Sequence, residues 1–458
     1  MVSKTSARFF HRLSTIFQPI SVVPKNAEVK KVDITSRSQR LMLERGIIRQ
    51  ASPGCFHLLP LGVRSLEKLT DLVDTEMRKI GGQKVVLPTL TNSKLWEVSG
   101  RLETVSSELF KVRDRHNHGY ILSPTCEEAV SSLVASLAPI SHKQLPLRLY
   151  QITSKFRDEI KPRFGLMRGR QFLMKDMYCF DVDLASALVS YKEICHCYDR
   201  IFEKIGINFV KVLGSSGHMG GNLSHEYHYK ADVGEDKILS CPKCNYFANV
   251  EVSGEQECPK CGNTSVEISS GIEVGHTFLL GEKYTKPLNA TYLSGDGKPT
   301  VLQMGSYGLG LSRILAAALE VLSSDDEIRW PPFLAPYKVI ILPPKGGSKE
   351  EIHLKNSNLV QSLYARLEQV DTLKNNVIID DRINLTIGRR FLEAKKTGYP
   401  YIIALGKKIT ESPSKLEVTN LQTDEQLHLE ESALLDYVSP KETCAVDRLA
   451  FLRSSTPI

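Results

Sequence analysis

The residues best suited to chemistry lie in one stretch, residues 150–181, where arginines, carboxylates and aromatic rings recur within a few positions. An alternating apolar and polar run over residues 149–156 predicts a half-buried strand, and residues 172–180 predict a second. A basic loop containing proline and glycine joins the two strands. Guanidinium groups bind phosphate and carboxylate oxygens in pairs, and an aromatic face can stack on a base. The stretch could therefore bind a nucleotide. The alternative is a charged hairpin exposed to solvent.

The order Phe-Arg-x-Glu, loop, Arg-x-x-x-Phe in this stretch resembles motif 2 of the class II aminoacyl-tRNA synthetases. The surrounding residues are similar to the bacterial and organellar prolyl-tRNA synthetases in particular. By that resemblance, Arg157 would bridge the substrate carboxylate and the α-phosphate of ATP. Glu159 would hold the adenine amino group, and Phe172 would stack on the adenine ring. Arg168 would bind the outer phosphates.

The segments before motif 2 fit the same family. A long amphipathic helix with Leu66, Leu69, Val73 and Met77 in one stripe precedes a strand predicted at residues 84–87. This pair resembles motif 1, which builds the dimer interface of class II enzymes, so the resemblance implies a homodimer. The alternative is an ordinary pair of core elements.

A second helix is predicted to begin at Pro124, with Thr125 and Glu127 beside its start. A hydroxyl group and a carboxylate can together hold a cationic amine, although acidic residues in a first helical turn also stabilise the helix itself. The resemblance implies that this pair binds the imino nitrogen of proline. Cys126 stands where bacterial members usually have histidine. His276 matches the histidine that lies beside the proline ring in the family.

Residues 300–320 predict a strand, a glycine turn and a helix with Arg313 near its start. Three glycines would let the backbone approach a ligand closely: Gly305, Gly308 and Gly310. Tight helix–strand packing is the alternative. At this distance from motif 2 the segment resembles motif 3, whose arginine binds the γ-phosphate of ATP. Ser306, where the family often has cysteine, would line the proline pocket.

Two C-x-x-C pairs lie in a short insert, residues 233–271: Cys241, Cys244, Cys258 and Cys261. Four thiolates in two such pairs can close a tetrahedral zinc site, and the alternative is a hairpin with free thiols. Bacterial prolyl enzymes carry a large editing insertion between motifs 2 and 3, for which this interval is too short. We therefore predict a small structural zinc clasp, and no hydrolysis of mischarged alanyl-tRNA.

The N-terminal residues 1–27 carry Lys4, Arg8, Arg12 and Lys25 and contain no aspartate or glutamate. Between the bases, apolar residues recur at helical spacing: Phe9, Phe10, Leu13, Ile16 and Phe17. A basic, amphipathic, acid-free leader is typical of mitochondrial transit peptides, so we predict that these residues direct import into the matrix and are removed there. A disordered basic tail is the alternative.

Residues 330–332 (Trp-Pro-Pro) predict a domain boundary, after which strands and helices alternate. That alternation predicts a small α/β domain with a parallel-rich sheet. The domain resembles the anticodon-binding domain of the prolyl, threonyl, histidyl and glycyl enzymes. A cluster of basic residues on such a domain is most often only a solvated face, so we assign no base recognition to this one. Its members are Arg382, Arg389, Arg390, Lys395 and Lys396.

Together these segments predict an α+β protein. A class II catalytic domain, an antiparallel sheet flanked by helices, would span residues 28–330, and the anticodon-binding domain residues 333–458. The chain has 458 residues and a net charge of +7, which fits a polyanionic partner. No apolar run reaches the roughly 20 residues of a membrane-spanning helix, so no membrane partner is expected.

The resemblance implies a mitochondrial-type prolyl-tRNA synthetase that uses proline, ATP with Mg²⁺, and a proline tRNA. Two alternatives stay open at this point. One is a sister class II enzyme, threonyl-like, although the zinc ligands of that family are not found around motif 2. The other is an inactive paralogue that binds tRNA, although the arginines of motifs 2 and 3 are both present.

Overall fold

The computed structural model describes residues 10–20, 34–137 and 140–438. Residues 1–9 and 21–27 of the predicted leader, and the last twenty residues of the predicted anticodon-binding domain, lie outside the described residues. The predicted domain boundaries therefore stay predictions. Among the described residues, no helix combines the length and apolar character needed to cross a membrane.

The first part of the chain alternates strands and helices up to residue 322. Its helices are α1 (Arg37–Glu44), α2 (Pro60–Lys79), α3 (Ser93–Val98), α4 (Arg101–Thr104), α5 (Glu127–Ser136), α6 (Leu184–Ile205), α7 (Val250–Ser253) and α8 (Leu311–Leu322). Its strands are β1 (Ile48–Ser52), β2 (Cys55–Leu58), β3 (Gln83–Lys84), β4 (Leu90–Asn92), β5 (Phe110–Arg113), β6 (Gly119–Leu122), β7 (Ile140–Ser141), β8 (Leu147–Phe156), β9 (Gln171–Asp181), β10 (Val210–Leu213), β11 (Leu223–Lys230), β12 (Asp236–Cys241), β13 (Tyr246–Asn249), β14 (Glu267–Gly281), β15 (Thr291–Leu293), β16 (Pro299–Val301) and β17 (Gln303–Gly310).

A single large sheet organises this part, in the order β11-β10-β13-β12-β14-β17-β9-β8-β3. Its pairings are antiparallel except β10–β13 and β3–β8, which confirms the predicted fold class. Helices α2, α6 and α8 bury their apolar stripes against one face, and the stripe predicted on α2 lies in that core. Helix α5 packs Val130 and Val134 against the other face. A pocket above the central strands is thus backed by rigid, buried structure.

Two local predictions were wrong. The three motif 3 glycines continue β17 as extended backbone and form no turn. A Cβ atom on Gly305 would lie 2.2 Å from the Tyr307 hydroxyl oxygen, so the glycine is needed for packing within the sheet. The strand predicted at residues 84–87 is limited to β3 (Gln83–Lys84). Strand β12 of the Cys-rich insert pairs with β14 and so belongs to the main sheet.

The C-terminal part is an α/β domain, as predicted. It contains β18 (Val339–Leu342), α9 (Lys349–Leu354), α10 (Leu359–Leu367), β19 (Val377–Ile379), α11 (Ile387–Thr397), β20 (Tyr401–Ala404), β21 (Leu416–Asn420), β22 (Glu425–Leu429) and α12 (Glu431–Val438). The sheet order is β19-β18-β20-β21-β22. Strand β18 is parallel to both neighbours, whereas the β20–β21 and β21–β22 pairings are antiparallel.

Candidate active site

A cavity of about 330 Å³ opens above β9, β14 and β17. Eight of the nine predicted substrate-binding residues line it: Thr125, Glu127, Arg157, Glu159, Phe172, His276, Ser306 and Arg313. The ninth, Arg168, lies beside the cavity in contact with Glu159. Residues up to 188 positions apart in sequence are therefore brought to one place by the sheet and by the helix starts that flank it.

At one end of the cavity, Glu127 is a buried carboxylate at the start of α5. The Thr125 hydroxyl donates to it at 2.7 Å and the Ser306 hydroxyl at 2.8 Å. The Nη1 atom of Arg101 lies 3.3 Å from Glu127 Oε2 and 3.1 Å from Glu128 Oε1, so two buried carboxylates share one guanidinium. Because burial penalises an uncompensated negative charge, this end of the cavity favours a cationic group such as a protonated secondary amine.

A second layer of buried polar residues holds the Thr125–Glu127 segment. The Tyr178 hydroxyl accepts from the Cys126 backbone N–H at 2.7 Å and donates to Asp176 at 2.7 Å. Asp176 also pairs with Lys155 at 2.9 Å, and all of these side chains are buried. This chain of bonds fixes the backbone at Cys126, so Thr125 and Glu127 present their oxygens in one orientation.

His276 forms a fixed wall beside this acidic end. Its Nδ1 lies 2.8 Å from Glu273 and its Nε2 lies 2.5 Å from the Ser224 hydroxyl. Its ring stacks on Phe278 with 3.8 Å between centroids. Both ring nitrogens are thus occupied, and the imidazole offers the cavity a flat, immobile surface suited to a small aliphatic ring.

Arg157 lines the cavity and lies directly after the end of β8. Its guanidinium carbon is 5.3 Å from the centroid of Phe172. No described residue forms an ion pair or a side-chain hydrogen bond with this guanidinium. Burial, and then the charge of Arg313, lower the pKa of Arg157 from its usual value. A bound anion would relieve both effects, so the geometry favours a carboxylate or phosphate here.

Arg313, on the first turn of α8, is oriented by neighbours. Its Nε donates to the Met167 carbonyl at 2.7 Å, and its Nη1 donates to the Glu273 carbonyl at 3.0 Å and lies 3.4 Å from the Glu273 carboxylate. Burial alone would raise the pKa of Glu273, but the hydrogen bond from His276 and the nearby positive charges hold it well below its ordinary value. Glu273 is therefore an ionised carboxylate facing the cavity.

Arg168 differs from Arg157 because it is already paired. Its Nε lies 2.9 Å from Glu159, and its Nη1 contacts Glu235. Burial alone would lower the pKa of Arg168, but the hydrogen bonds to Glu159 and Glu235 and the charges of these two acids raise it. Outer phosphates would have to compete with these two acids for Arg168.

The four cysteines of the insert converge outside this cavity. All four sulfur atoms lie within 4.8 Å of one another. Cys241 and Cys261 are 3.7 Å apart, and Cys244 and Cys258 are 3.5 Å apart. Four sulfurs bound to zinc at about 2.3 Å would be separated by about 3.8 Å. The donor set therefore fits zinc.

Several residues of the site were not identified from the sequence. Arg101, Asp176, Tyr178 and Glu273 each have local patterns typical of ordinary helix or strand positions. Glu273 is the one with a detectable signal, because it lies three residues before His276, a spacing that on an irregular strand brings the two side chains together. The others depend on contacts between distant segments.

Comparison with known proteins agrees with this geometry. A family model for the tRNA synthetase class II core domain (G, H, P, S and T) matches residues 110–322, and a model for the anticodon binding domain matches residues 338–441. The chain belongs to the class II aminoacyl-tRNA synthetases.

Sequence relatives identify the family within this class. The chain is 46% identical over 437 residues to the probable mitochondrial proline–tRNA ligase of Homo sapiens, covering 94% of this chain and 91% of the relative. It is 33% identical over 444 residues to the proline–tRNA ligase of a Wolbachia species, covering 94% and 100%. Within its class, the chain is a member of the proline–tRNA ligase family.

A solved structure confirms the fold independently. The crystal structure of prolyl-tRNA synthetase from Cryptosporidium parvum, complexed with halofuginone and AMPPNP, matches with a TM-score of 0.70 at 19% identity. The match covers 88% of this chain and 74% of that chain. The relatives are proline ligases, so they do not support the threonyl-like alternative.

Proposed function

We propose that the cavity activates proline with ATP and then transfers the prolyl group to a proline tRNA. In the first step, a carboxylate oxygen of proline bonds to the α-phosphorus of ATP and pyrophosphate leaves. In the second, a ribose hydroxyl of the tRNA terminus attacks the carbonyl carbon and AMP leaves. The observation that carries this proposal is the unpaired guanidinium of Arg157 between an acidic end and a second arginine.

Each residue of the cavity is assigned to a substrate group according to the charge of that group. Thr125 and Glu127 hold the imino nitrogen of proline, Ser306 helps to orient Glu127, and the His276 ring faces the pyrrolidine ring. Arg157 bridges the proline carboxylate and the α-phosphate. Aligning two anions and stabilising the charge that develops between them needs no protein base.

The nucleotide occupies the other end of the cavity. Phe172 stacks on adenine and Glu159 accepts from its amino group, while Arg313 and Arg168 bind the outer phosphates. Mg²⁺ prefers carboxylate and phosphate oxygens, and it usually takes only one or two protein carboxylates beside the phosphates. The ionised Glu273, next to Arg313, fits that requirement. The metal would neutralise phosphate charge.

Pyrophosphate exchange across amino acids tests the assignment. We expect exchange with proline and ATP and none with threonine. Exchange that depends on another amino acid, or none at all in folded protein with intact tRNA binding, would contradict it and favour the paralogue alternative.

We propose that the four cysteines bind one zinc ion that stabilises the insert. Because β12 belongs to the main sheet, losing the ion should lower the unfolding temperature. The cysteines lie outside the cavity, so exchange by the remaining folded enzyme should not change. Elemental analysis of pure protein should give one zinc per chain. No zinc, with four freely titrating thiols in native protein, would leave only the free-thiol hairpin.

We propose that the enzyme works as a homodimer through the β3 edge of the large sheet. Strand β3 is an edge strand, and beyond it Val86 is 82% exposed and Leu90 44% exposed. Exposed apolar side chains at an unpaired edge favour association. Light scattering should report a dimer that Val86→Asp dissociates. Val189→Asp should leave the dimer intact, because Val189 is an exposed valine (59%) that lies on α6, away from this edge.

We propose that the enzyme acts in the mitochondrial matrix. The basic leader within residues 1–27 supports import, as do the relatives named mitochondrial. A fusion of these residues to a reporter should enter the matrix, and a cytosolic reporter would contradict the proposal.

No editing domain fits between motifs 2 and 3, so alanyl-tRNA made in error should persist. Rapid deacylation by the pure enzyme would refute that expectation.

A further inference from the structure

Residues 10–19 lie across the boundary between the two parts of the protein. Their first half contacts the C-terminal domain and their second half contacts the catalytic domain. The sequence pattern assigns this segment to a removable leader, but the contacts are those of an integral element. We call residues 10–19 the strap.

On the C-terminal domain, the strap pairs with the edge of the sheet. Arg12 forms a parallel bridge with Ile379 of β19, whose backbone N–H donates to the His11 carbonyl at 2.9 Å. Ser14 donates to Asp381 through its backbone N–H at 3.0 Å and through its hydroxyl at 2.6 Å. Strand β19 ends the sheet order, so the strap covers an edge whose hydrogen-bonding groups would otherwise face solvent.

Leu13 is the apolar anchor of the strap. It is 8% exposed and lies in a cluster with Tyr337 and Ile378 of the C-terminal domain and Leu61 of α2. Leu61 belongs to the catalytic domain, so one side chain of the strap packs at the junction of both parts. By contrast, Phe17 in the same segment is 67% exposed. Burial of Leu13 therefore reflects specific packing and not a general collapse of an apolar leader.

On the catalytic domain, the strap meets the corner between α1 and β1. Gln18 donates through its side-chain amide to the Arg45 carbonyl at 2.9 Å, and Arg49 donates to the Pro19 carbonyl at 2.6 Å. Gly46 leaves room for Pro19, because a Cβ atom there would lie 2.9 Å from the Pro19 carbonyl oxygen. The corner is thus shaped to receive the strap.

We propose that the strap is retained in the working enzyme and sets the position of the C-terminal domain relative to the active site. Cleavage after residue 27, the end of the predicted leader, would remove the strap and expose the β19 edge. Since one tRNA must reach both the active site and the anticodon-binding domain, a change in the angle between them would impair tRNA charging. Proline activation uses only the cavity and would be spared. The inference about retention does not depend on the proposed residue roles.

The mature N-terminus is the first test. Mass spectrometry of the enzyme isolated from mitochondria should find an N-terminus at or before Phe10. An N-terminus downstream of Phe10 would overturn the proposal.

A matched pair of variants in the recombinant full-length enzyme is the second test. Leu13→Asp places a charge in the buried cluster, and Phe17→Asp places the same charge at an exposed site of the same segment. We expect Leu13→Asp to lower the unfolding temperature by several degrees and kcat/KM for tRNA several-fold, with proline-dependent pyrophosphate exchange unchanged. Phe17→Asp should change none of the three.

A milder variant keeps the proposal testable if Leu13→Asp fails to fold. Asp381→Ala removes both hydrogen bonds to Ser14 and leaves Leu13 in place, so it should reduce tRNA charging in the same direction by less. Equal losses of exchange and charging, or Leu13→Asp and Asp381→Ala both indistinguishable from Phe17→Asp, would overturn the role of the strap.

Discussion

Arg157 in the cavity and Arg390 in the C-terminal domain are the same type of residue in opposite surroundings. In the cavity, Arg157 has no ionic or hydrogen-bonding partner for its guanidinium among the described residues, and its pKa is lowered by burial and by Arg313. In the C-terminal domain, Arg390 is fully buried and donates to the carbonyls of Asp380 and Pro343 at 3.0 and 2.6 Å.

Three more residues of the basic set are also paired. Arg382 pairs with Asp380 at 2.8 Å, and Arg389 pairs with Glu393 at 3.3 Å. Lys395 pairs with Glu327 at 3.0 Å. The expectation of a merely solvated face was thus wrong for Arg390. The difference is that the guanidinium of Arg157 is left free for a ligand, whereas that of Arg390 is satisfied by backbone carbonyls of the fold itself.

The largest effect should come from Arg157→Ala. Its removal leaves no protein acceptor unsatisfied, so the free energy of unfolding should change by less than about 0.5 kcal/mol. The loss of charge stabilisation should reduce pyrophosphate exchange by roughly 10²–10³-fold. Arg313→Ala should lose comparable activity but also some stability, because the Met167 carbonyl loses its donor. Near-normal exchange in either variant would contradict the assigned roles.

Arg390→Ala should give the reverse pattern. Two buried carbonyls lose their donor and a void forms, so we expect the free energy of unfolding to fall by about 2–4 kcal/mol. Exchange per folded molecule should stay unchanged. Thermal unfolding measures the first and active-site titration normalises the second. Arg389→Ala, one residue earlier and exposed, is the matched control. If both variants melt alike, Arg390 has no special structural role.

Arg168→Ala should fall between these extremes. Arg168 is already paired with Glu159 and Glu235, and its removal leaves both acids near the outer phosphates. We expect KM for ATP to rise roughly tenfold with a smaller change in kcat. Glu235→Gln removes one competing acid and should lower KM for ATP. A rise in KM with Glu235→Gln would show that this acid orients Arg168 and does not compete for it.

The smallest effect should come from Asp181, a buried carboxylate that lies outside the cavity and has no ligand to bind. Burial raises the pKa of Asp181 to about 6, and its Oδ2 has no hydrogen-bond partner. A raised folded-state pKa favours folding below the unfolded value of about 4, and this contribution is lost as pH rises through about 6. Asp181→Asn should therefore be more stable than the parent by about 1–2 kcal/mol at pH 8 and equal at pH 4.

Melting temperatures across that pH range provide the measurement. Asp183→Asn is the control, because Asp183 is an exposed helix cap whose pKa is lowered by the Ser186 N–H. It should not show the gain at pH 8. A constant difference between Asp181→Asn and the parent at all pH values would exclude the titration of Asp181 as the cause.

Local rules explain the elements that the sequence predicts well. The strands of motif 2 follow the alternation of apolar and polar residues, and α6 begins after Asp183, a residue that caps its first turn, and ends at Gly206. These features depend on neighbours a few positions apart, which are visible in the sequence. The family resemblance added the identities of eight residues that line the cavity, because their order along the chain is characteristic.

The sequence by itself thus determined the class of enzyme, the strands and helices of motif 2 and the eight named residues that line the cavity. Only the tertiary structure decided that the guanidinium of Arg157 has no ionic or hydrogen-bonding partner among the described residues and that the glycines of motif 3 extend a strand. It also decided that Asp176 supports the acidic end of the cavity and that Leu13 is buried between the two domains. The reason is that burial and pairing depend on contacts across the whole chain. Leu13 and Tyr337 are separated by more than three hundred positions, and no local pattern records that they meet.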